Sequence, residues 1–337
     1  MRTFSPSEAA FEGFRVVRAH PGAVAAWAIA YVVAQLAIGA LVLAVMGERL
    51  AAFSQYSSAG AAMPPEAAAQ MIGPLLGLAA LILPLGLFLV AVFADAVYRP
   101  ILRPDDKGLF YLKIGGDEGR QVLLYLAWIG VLIAGYLVLI VAAVLVAVFG
   151  GLLYAALTSH GGNVSAPGPS PAPRLVGLAL VAGVFCAFLW LMVRFSLAAP
   201  MTFALRRVSV FGSWRVTRGK FWSLLGCYVL AWIFGILVAL AGWIVSLCAG
   251  AVITGDWAAV SSVSTNPRAA MMTSGFAALT HDFTVAGLVQ LFLSSLLASI
   301  GRVIMYAPTA AAYRDLAGAE PPMAVDAPFR PTGGLVL

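Results

Sequence analysis

The sequence predicts an all-α membrane protein, a bundle of six transmembrane helices. Three observations lead there. Of 337 residues, 62% are hydrophobic and only 10% are Asp, Glu, Lys or Arg, whereas a soluble domain carries about 25% charged residues. Mean hydropathy is +0.97. The apolar residues also gather into six unbroken runs, over 22–46, 71–98, 121–149, 175–200, 222–253 and 283–313. Each meets the roughly 20 residues that a helix needs to cross the hydrocarbon core. So few charges could not cover a soluble enzyme of this size, and a disordered chain would need the opposite composition. A membrane barrel would show alternating segments of about ten residues instead.

The elements follow in order. Residues 1–21 form a cytoplasmic amphipathic helix, opened by Ser5-Pro6-Ser7-Glu8, a capping box with proline at the first helical position. Phe11, Phe14 and Val17 share one side, with Arg15 and Arg18 displaced from it. Such a helix is expected to lie in the headgroup interface with its bases near anionic lipid. The first apolar run is too long for a signal-peptide core and is expected to stay attached. In the second, Gly73-Pro74 and Pro84 are candidate kinks. After it, Lys113-Ile114-Gly115-Gly116-Asp117-Glu118 lacks the Lys-Ser/Thr of a phosphate loop and reads as a turn with Asp117 near a helix start. Residues 203–220 repeat the amphipathic design, with Phe203, Val210, Phe211 and Trp214 among five basic residues. Segments 158–173 and 254–282 are small, polar, turn-prone loops, and 314–337 is a tail. The transmembrane domain is therefore 22–313.

Orientation follows from lysine and arginine. Fifteen fall in the N-terminal segment, the loops after the second and fourth spans, and the tail; the opposite loops hold three, Arg49, Arg174 and Arg268. Both termini are expected in the cytoplasm of a bacterium, the bundle in its inner membrane. This folds the chain into three helical hairpins. Residues 14–20 align with 214–220 at an offset of 200, and Arg194-x4-Ala199-Pro200 matches Arg302-x4-Ala307-Pro308, as parallel repeats would. Small residues at four-residue spacing, Ala231-Gly235-Ala239 and Gly242-Ser246-Gly250, favour close helix packing.

Asp95, Arg194 and Arg302 are the ionisable residues inside the spans, each five or six residues before a proline that ends a span. Charges there are costly and face a partner or a wet cavity, so an in-membrane cluster with Asp95 pairing Arg194 or Arg302 is one expectation and separate snorkelling the other. Arg15, Arg18, Arg215, Arg218, Lys220 and Trp214 are the candidate interfacial contacts to lipid or a protein partner. Cys186, Cys227 and Cys248 are scattered through apolar runs, and His20, His160 and His281 are dispersed. No HExxH, GxSxG or zinc spacing occurs. The expectation is no enzyme, no metal and no cofactor. Basic residues that flank spans are accounted for by orientation, so nucleic acid is not an expected partner.

Ser213-Trp214-Arg215-Val216-Thr217-Arg218-Gly219-Lys220-Phe221-Trp222 resembles the S-W-R-x-T-R-G-x-F-W signature of the glycerophosphoryl diester phosphodiesterase membrane-domain-like family. Tyr313-Arg314-Asp315-Leu316 matches its Y-x-D-L ending. Residues 98–104 and 110–118 resemble the second cytoplasmic loop of alphaproteobacterial members, with Gly119 a departure where a larger apolar residue is expected. Active members carry a separate catalytic barrel that has no counterpart here. The resemblance implies a stand-alone membrane module and transfers no catalytic residue. The expected function is a non-catalytic module that binds lipid, a protein partner or a second copy of itself in envelope organisation. The alternative is a small transporter or lipid translocator.

Overall fold

The computed structural model describes residues 4–58, 63–159, 171–255 and 283–318. Its helices are α1 (Pro6–Ala19), α2 (Pro21–Ser58), α3 (Pro65–Leu102), α4 (Gly116–Ser159), α5 (Pro171–Phe195), α6 (Ala198–Leu205), α7 (Gly212–Val216), α8 (Phe221–Thr254) and α9 (Val285–Ala317). Among the described residues there is no strand; Leu109 and Leu112 form an isolated bridge. Six stretches are long and apolar enough to span a membrane: Pro21–Phe53, Pro65–Leu102, Gly116–Val141, Ala182–Leu205, Phe221–Ile253 and Gly287–Ala317. Each contains most of one predicted run. Their outward side chains are large and apolar, Val138, Leu83 and Trp232 standing 69%, 60% and 60% exposed. Such a surface is stable against hydrocarbon and not against water. The chain is an integral, multi-pass, all-α membrane protein.

Helix α9 is the hub, packing on α8, α1, α2, α3 and α6. Consecutive spans pair as α2 with α3 and α8 with α9, while α4 packs on α6, the second half of the fourth span. Between α5 and α6 the helix breaks at Ser196-Leu197. There the Ser196 hydroxyl donates to the Val193 carbonyl at 2.8 Å and bonds the Tyr228 hydroxyl at 2.7 Å. Gly235, Gly242 and Gly250 of α8 lie against Met305, Leu297 and Gln290 of α9, so the small-residue spacing does bring two helices close. Pro74 and Pro84 sit inside α3, which runs on through both.

One expectation about the juxtamembrane segments, the second amphipathic helix, is corrected. Ser5 caps α1 by accepting from the Glu8 amide, and α1 packs on the bundle. It docks through Ala9, Ala10, Gly13 and Val16, all buried against α8 and α9. Val17 joins the core, while Phe11 and Phe14 stay 46% and 38% exposed with their rings on Phe234. Residues 203–220 form no single amphipathic helix. Arg206 turns into the left-handed region at φ 53° and ends α6, and Gly219 does so at φ 76° before α8. Only the five-residue α7 lies between. Its Ser213 and the following Thr217 are buried, and both hydroxyls reach the Arg194 carbonyl, at 2.7 and 3.4 Å. The segments that align at an offset of 200 are thus built differently, one ending a long helix and one forming a short turn of helix.

Thirteen of the fifteen basic residues assigned to one side are described. The segments that carry them meet at one end of the bundle: Arg103 reaches the Phe203 and Ala204 carbonyls, and Arg314 reaches Glu12. Arg2, Arg174, Arg268 and Arg330, with His160 and His281, lie outside the residues or side chains described.

Candidate functional site

At that end α3 and α4 face each other across polar side chains. On α3, Asp95 and Arg99 are one turn apart; on α4, Glu118, Gln121 and Tyr125 follow at helical spacing. Asp95, Arg99, Glu118 and Gln121 are fully buried. The reading of Asp117 near a helix start holds, since α4 opens at Gly116 with both acids in its first turn. The Gly115 amide donates to Glu118 Oε2 at 2.8 Å, so the glycine pair cradles the protein's own carboxylate. Glu118 Oε1 pairs with Arg99 Nη2. Arg103 pairs with Asp117 at 2.9 Å, and Arg120 pairs with the other oxygen of Asp117. Lys113 pairs with Asp106 at 3.2 Å.

These pairs fix the α3–α4 loop. Arg99 Nη1 donates to the Tyr111 carbonyl at 2.5 Å, and Trp27 Nε1 donates to the Phe110 carbonyl at 2.8 Å. Between Leu109 and Leu112, whose amide donates to the Leu109 carbonyl at 3.0 Å, Phe110 and Tyr111 hold φ of 54° and 64°. Two positive φ values make a type I′ turn, which normally takes Asn-Gly. Bulky residues there cost of order 1–3 kcal/mol each, offset by bonds from two buried side chains. The turn buries Tyr111 against His20 and leaves Leu109, Phe110 and Ile114 exposed at 75%, 51% and 76%.

The ion pair expected between Asp95 and Arg194 or Arg302 does not form. Both Asp95 oxygens are buried without a hydrogen-bond partner, and the charges that act on Asp95 are Glu118, Arg99, Asp117 and Arg103. Each arginine is instead taken up by aromatic faces. The Arg302 guanidinium lies 3.7 Å from the Tyr31 ring centre and 5.7 Å from that of Phe93. Arg194 lies over Trp190 and Trp214, at 5.5 and 5.3 Å. A cation over an aromatic face is worth about 0.5–2 kcal/mol, and Arg194 Nε and Nη1 and Arg302 Nη1 stay buried without a hydrogen-bond partner. The level expected for Asp95 and Arg302 does agree, since Phe93 is two residues before Asp95.

Of the interfacial candidates, Arg15 pairs with Glu12 at 3.1 Å with its side chain 61% exposed, and Arg18, Arg215, Arg218 and Lys220 are exposed. Trp214 packs on Trp190 and Phe195. Arg15 and Arg18 line a surface pocket of α1 with Phe11 and Phe14, whereas Trp214 and Arg215 stand on α7 and Arg218 and Lys220 on the turn that follows it. Sequence reading passed over Arg99, Arg103 and Glu118 as site residues. A signal was present: basic residues four apart, Arg99 and Arg103, close and cap α3, and an acidic pair opens α4 fourteen residues on.

A second feature is a lateral groove of about 840 Å³ along the α8–α9 seam. Trp232, Trp243, Gly242 and Ala298 line its apolar length, and Arg302 and Tyr306 its polar end. Arg302 Nη1 has no hydrogen-bond partner. Among the described residues no group of three or more His, Cys, Asp and Glu could hold a metal ion. Comparison of the chain with protein-family models, with curated proteins and with solved structures finds no match.

Proposed function

We propose that the chain is a non-catalytic inner-membrane module, with both termini cytoplasmic, whose α8–α9 groove holds a phospholipid. The groove carries this reading. Its walls continue the apolar outer face of α8, where Trp232 and Trp243 are 60% and 52% exposed, so an acyl chain enters from the bilayer without crossing polar surface. At its end lies Arg302, a guanidinium of the kind that anionic headgroups recognise; its Nη1 is buried without a hydrogen-bond partner, and turning it into the groove would give a headgroup its donor. The resemblance to a stand-alone membrane module is in keeping with this reading. Protein purified in detergent is expected to retain phosphatidylglycerol over phosphatidylcholine, measured by mass spectrometry of extracted lipid. Ala298→Phe should empty the groove of lipid, and Arg302→Gln should abolish the headgroup preference while lipid stays bound. Equal lipid in wild type and Ala298→Phe would exclude the groove as its site and favour a protein partner there.

One observation favours the second reading, a small transporter or lipid translocator: Asp95 is buried with no partner, as coupling carboxylates in transporters are. Movement of labelled phospholipid in reconstituted liposomes that Arg302→Ala abolishes would replace the first reading with this one.

Orientation has its own test. On a background lacking Cys186, Cys227 and Cys248, single cysteines at Asn163, outside the described residues, and at Gly318 are exposed to an impermeant thiol reagent on spheroplasts. Labelling at 163 and protection at 318 are expected; the reverse pattern places the termini outside.

A further inference from the structure

We propose that the α3–α4 seam is a binding site for one monovalent cation, a proton or an alkali-metal ion, received by Asp95. The argument is a count of contacts, not of net charge. Glu118 has Arg99, Asp117 has Arg103 and Arg120, and Asp106 has Lys113. Asp95 is the buried carboxylate among the described residues of α3 and α4 that has no base in contact. Arg99, one turn further on α3, does not serve it. Its Nη1 is on the Tyr111 carbonyl, its Nη2 on Glu118, and its Nε faces Asp106 at 3.8 Å. Arg302 and Arg194 lie on aromatic rings, as described above.

The other groups around Asp95 supply no positive charge. Tyr98 follows Asp95 by three residues on α3, and Tyr306 of α9 packs its ring 6.4 Å from that of Tyr98. Gln121 is fully buried on the same face of α4 as Glu118 and Tyr125. It gives its amide to the Tyr125 hydroxyl at 3.4 Å, which leaves Oε1 as a second acceptor without a donor. A buried carboxylate with no donor in contact costs many kcal/mol. Acceptor oxygens left without a donor suit a cation, not an anion. The seam has the chemistry to load a single positive charge one turn below the pair that anchors the α3–α4 loop.

The test compares wild type with Asp95→Asn, purified in detergent at constant ionic strength, by thermal unfolding. Asparagine resembles the loaded, neutral site, so the variant should melt at or above the wild type when protons and alkali ions are both scarce. At alkaline pH in choline chloride the wild type should be the less stable of the two. Lowering the pH in choline should then raise the wild-type melting temperature relative to Asp95→Asn if the ligand is a proton. Replacing choline by sodium or potassium at fixed alkaline pH should do so if it is a metal ion. Using the difference between the two proteins removes the response of every other titrating group. A difference that follows neither pH nor alkali ion would overturn the proposal. So would failure of both Asp95→Asn and Asp95→Ser to fold where wild type folds, because that would make the charge itself structural. The proposal is independent of the lipid reading, since no readout involves the α8–α9 groove.

Discussion

Arg99→Leu is expected to destabilise the purified protein by about 3–5 kcal/mol, the typical cost of removing one partner from a buried ion pair. The full range applies here because Arg99 and Glu118 are 0% and 1% exposed and water cannot solvate the carboxylate left behind. The substitution also removes the donor that holds the Tyr111 carbonyl. The left-handed pair Phe110-Tyr111 then keeps only Trp27 and its own turn bonds. Thermal unfolding in detergent reads the loss, and protease cleavage between α3 and α4 reads the freed loop. Adding Glu118→Gln should restore part of the stability, since a neutral amide does not suffer from the missing base. A double variant whose cost equals the sum of the singles would mean that the two charges act separately, and the loop would then owe its position to something else.

The features legible in the sequence are those that a local run of residues encodes by itself. Six spans, their approximate ends and the clustering of basic loops all depend on composition within about 30 residues, and the structure keeps them. Asp95 and Arg302 were also legible, because a charge inside an apolar run is a local anomaly. Their partners were not, since partner choice depends on how each helix is rotated about its axis. Arg99 and Arg103 were read as topological charges because positive residues after a span usually are. The acidic pair that opens α4 hints at partners for them, but whether Arg99 is buried in that contact depends again on helix rotation.

What the sequence left unread in α1 was the face that docks on the bundle. In a bilayer lipid is as apolar as leucine, so helices associate through small residues that let backbones approach. The buried set Ala9, Ala10 and Gly13 obeys this rule, and Phe11 and Phe14 remain outside. In residues 203–220 the apolar and basic residues alone gave the amphipathic reading, whereas the buried Ser213 and Thr217 close the Arg194 carbonyl from inside.

Gly13 is therefore the position where one methyl group should matter most. A Cβ built there would lie 2.6 Å from Ile304 Cα and 3.1 Å from the Ile304 nitrogen and the Val303 oxygen. All three are backbone atoms of the central helix, which cannot turn aside as a side chain can. Alanine in a helix interior is ordinarily worth about 0.5–1 kcal/mol over glycine, so propensity alone predicts that Gly13→Ala stabilises. Contact predicts the opposite, by about 1–3 kcal/mol for overpacking, and contact should win because relief requires moving α1 as a body. That movement would draw Glu12 from Arg314, 3.0 Å away, and Phe11 and Phe14 from Phe234. Gly119 provides the comparison: it lies in the first turn of α4, and a Cβ there would meet nothing within 4 Å. Gly119→Ala should leave stability unchanged or slightly raised. Gly13→Ala should lower the melting temperature and open the N-terminal helix to protease. If both alanines behaved alike, the close approach of α1 to α9 would not be what holds the N-terminal helix in the bundle.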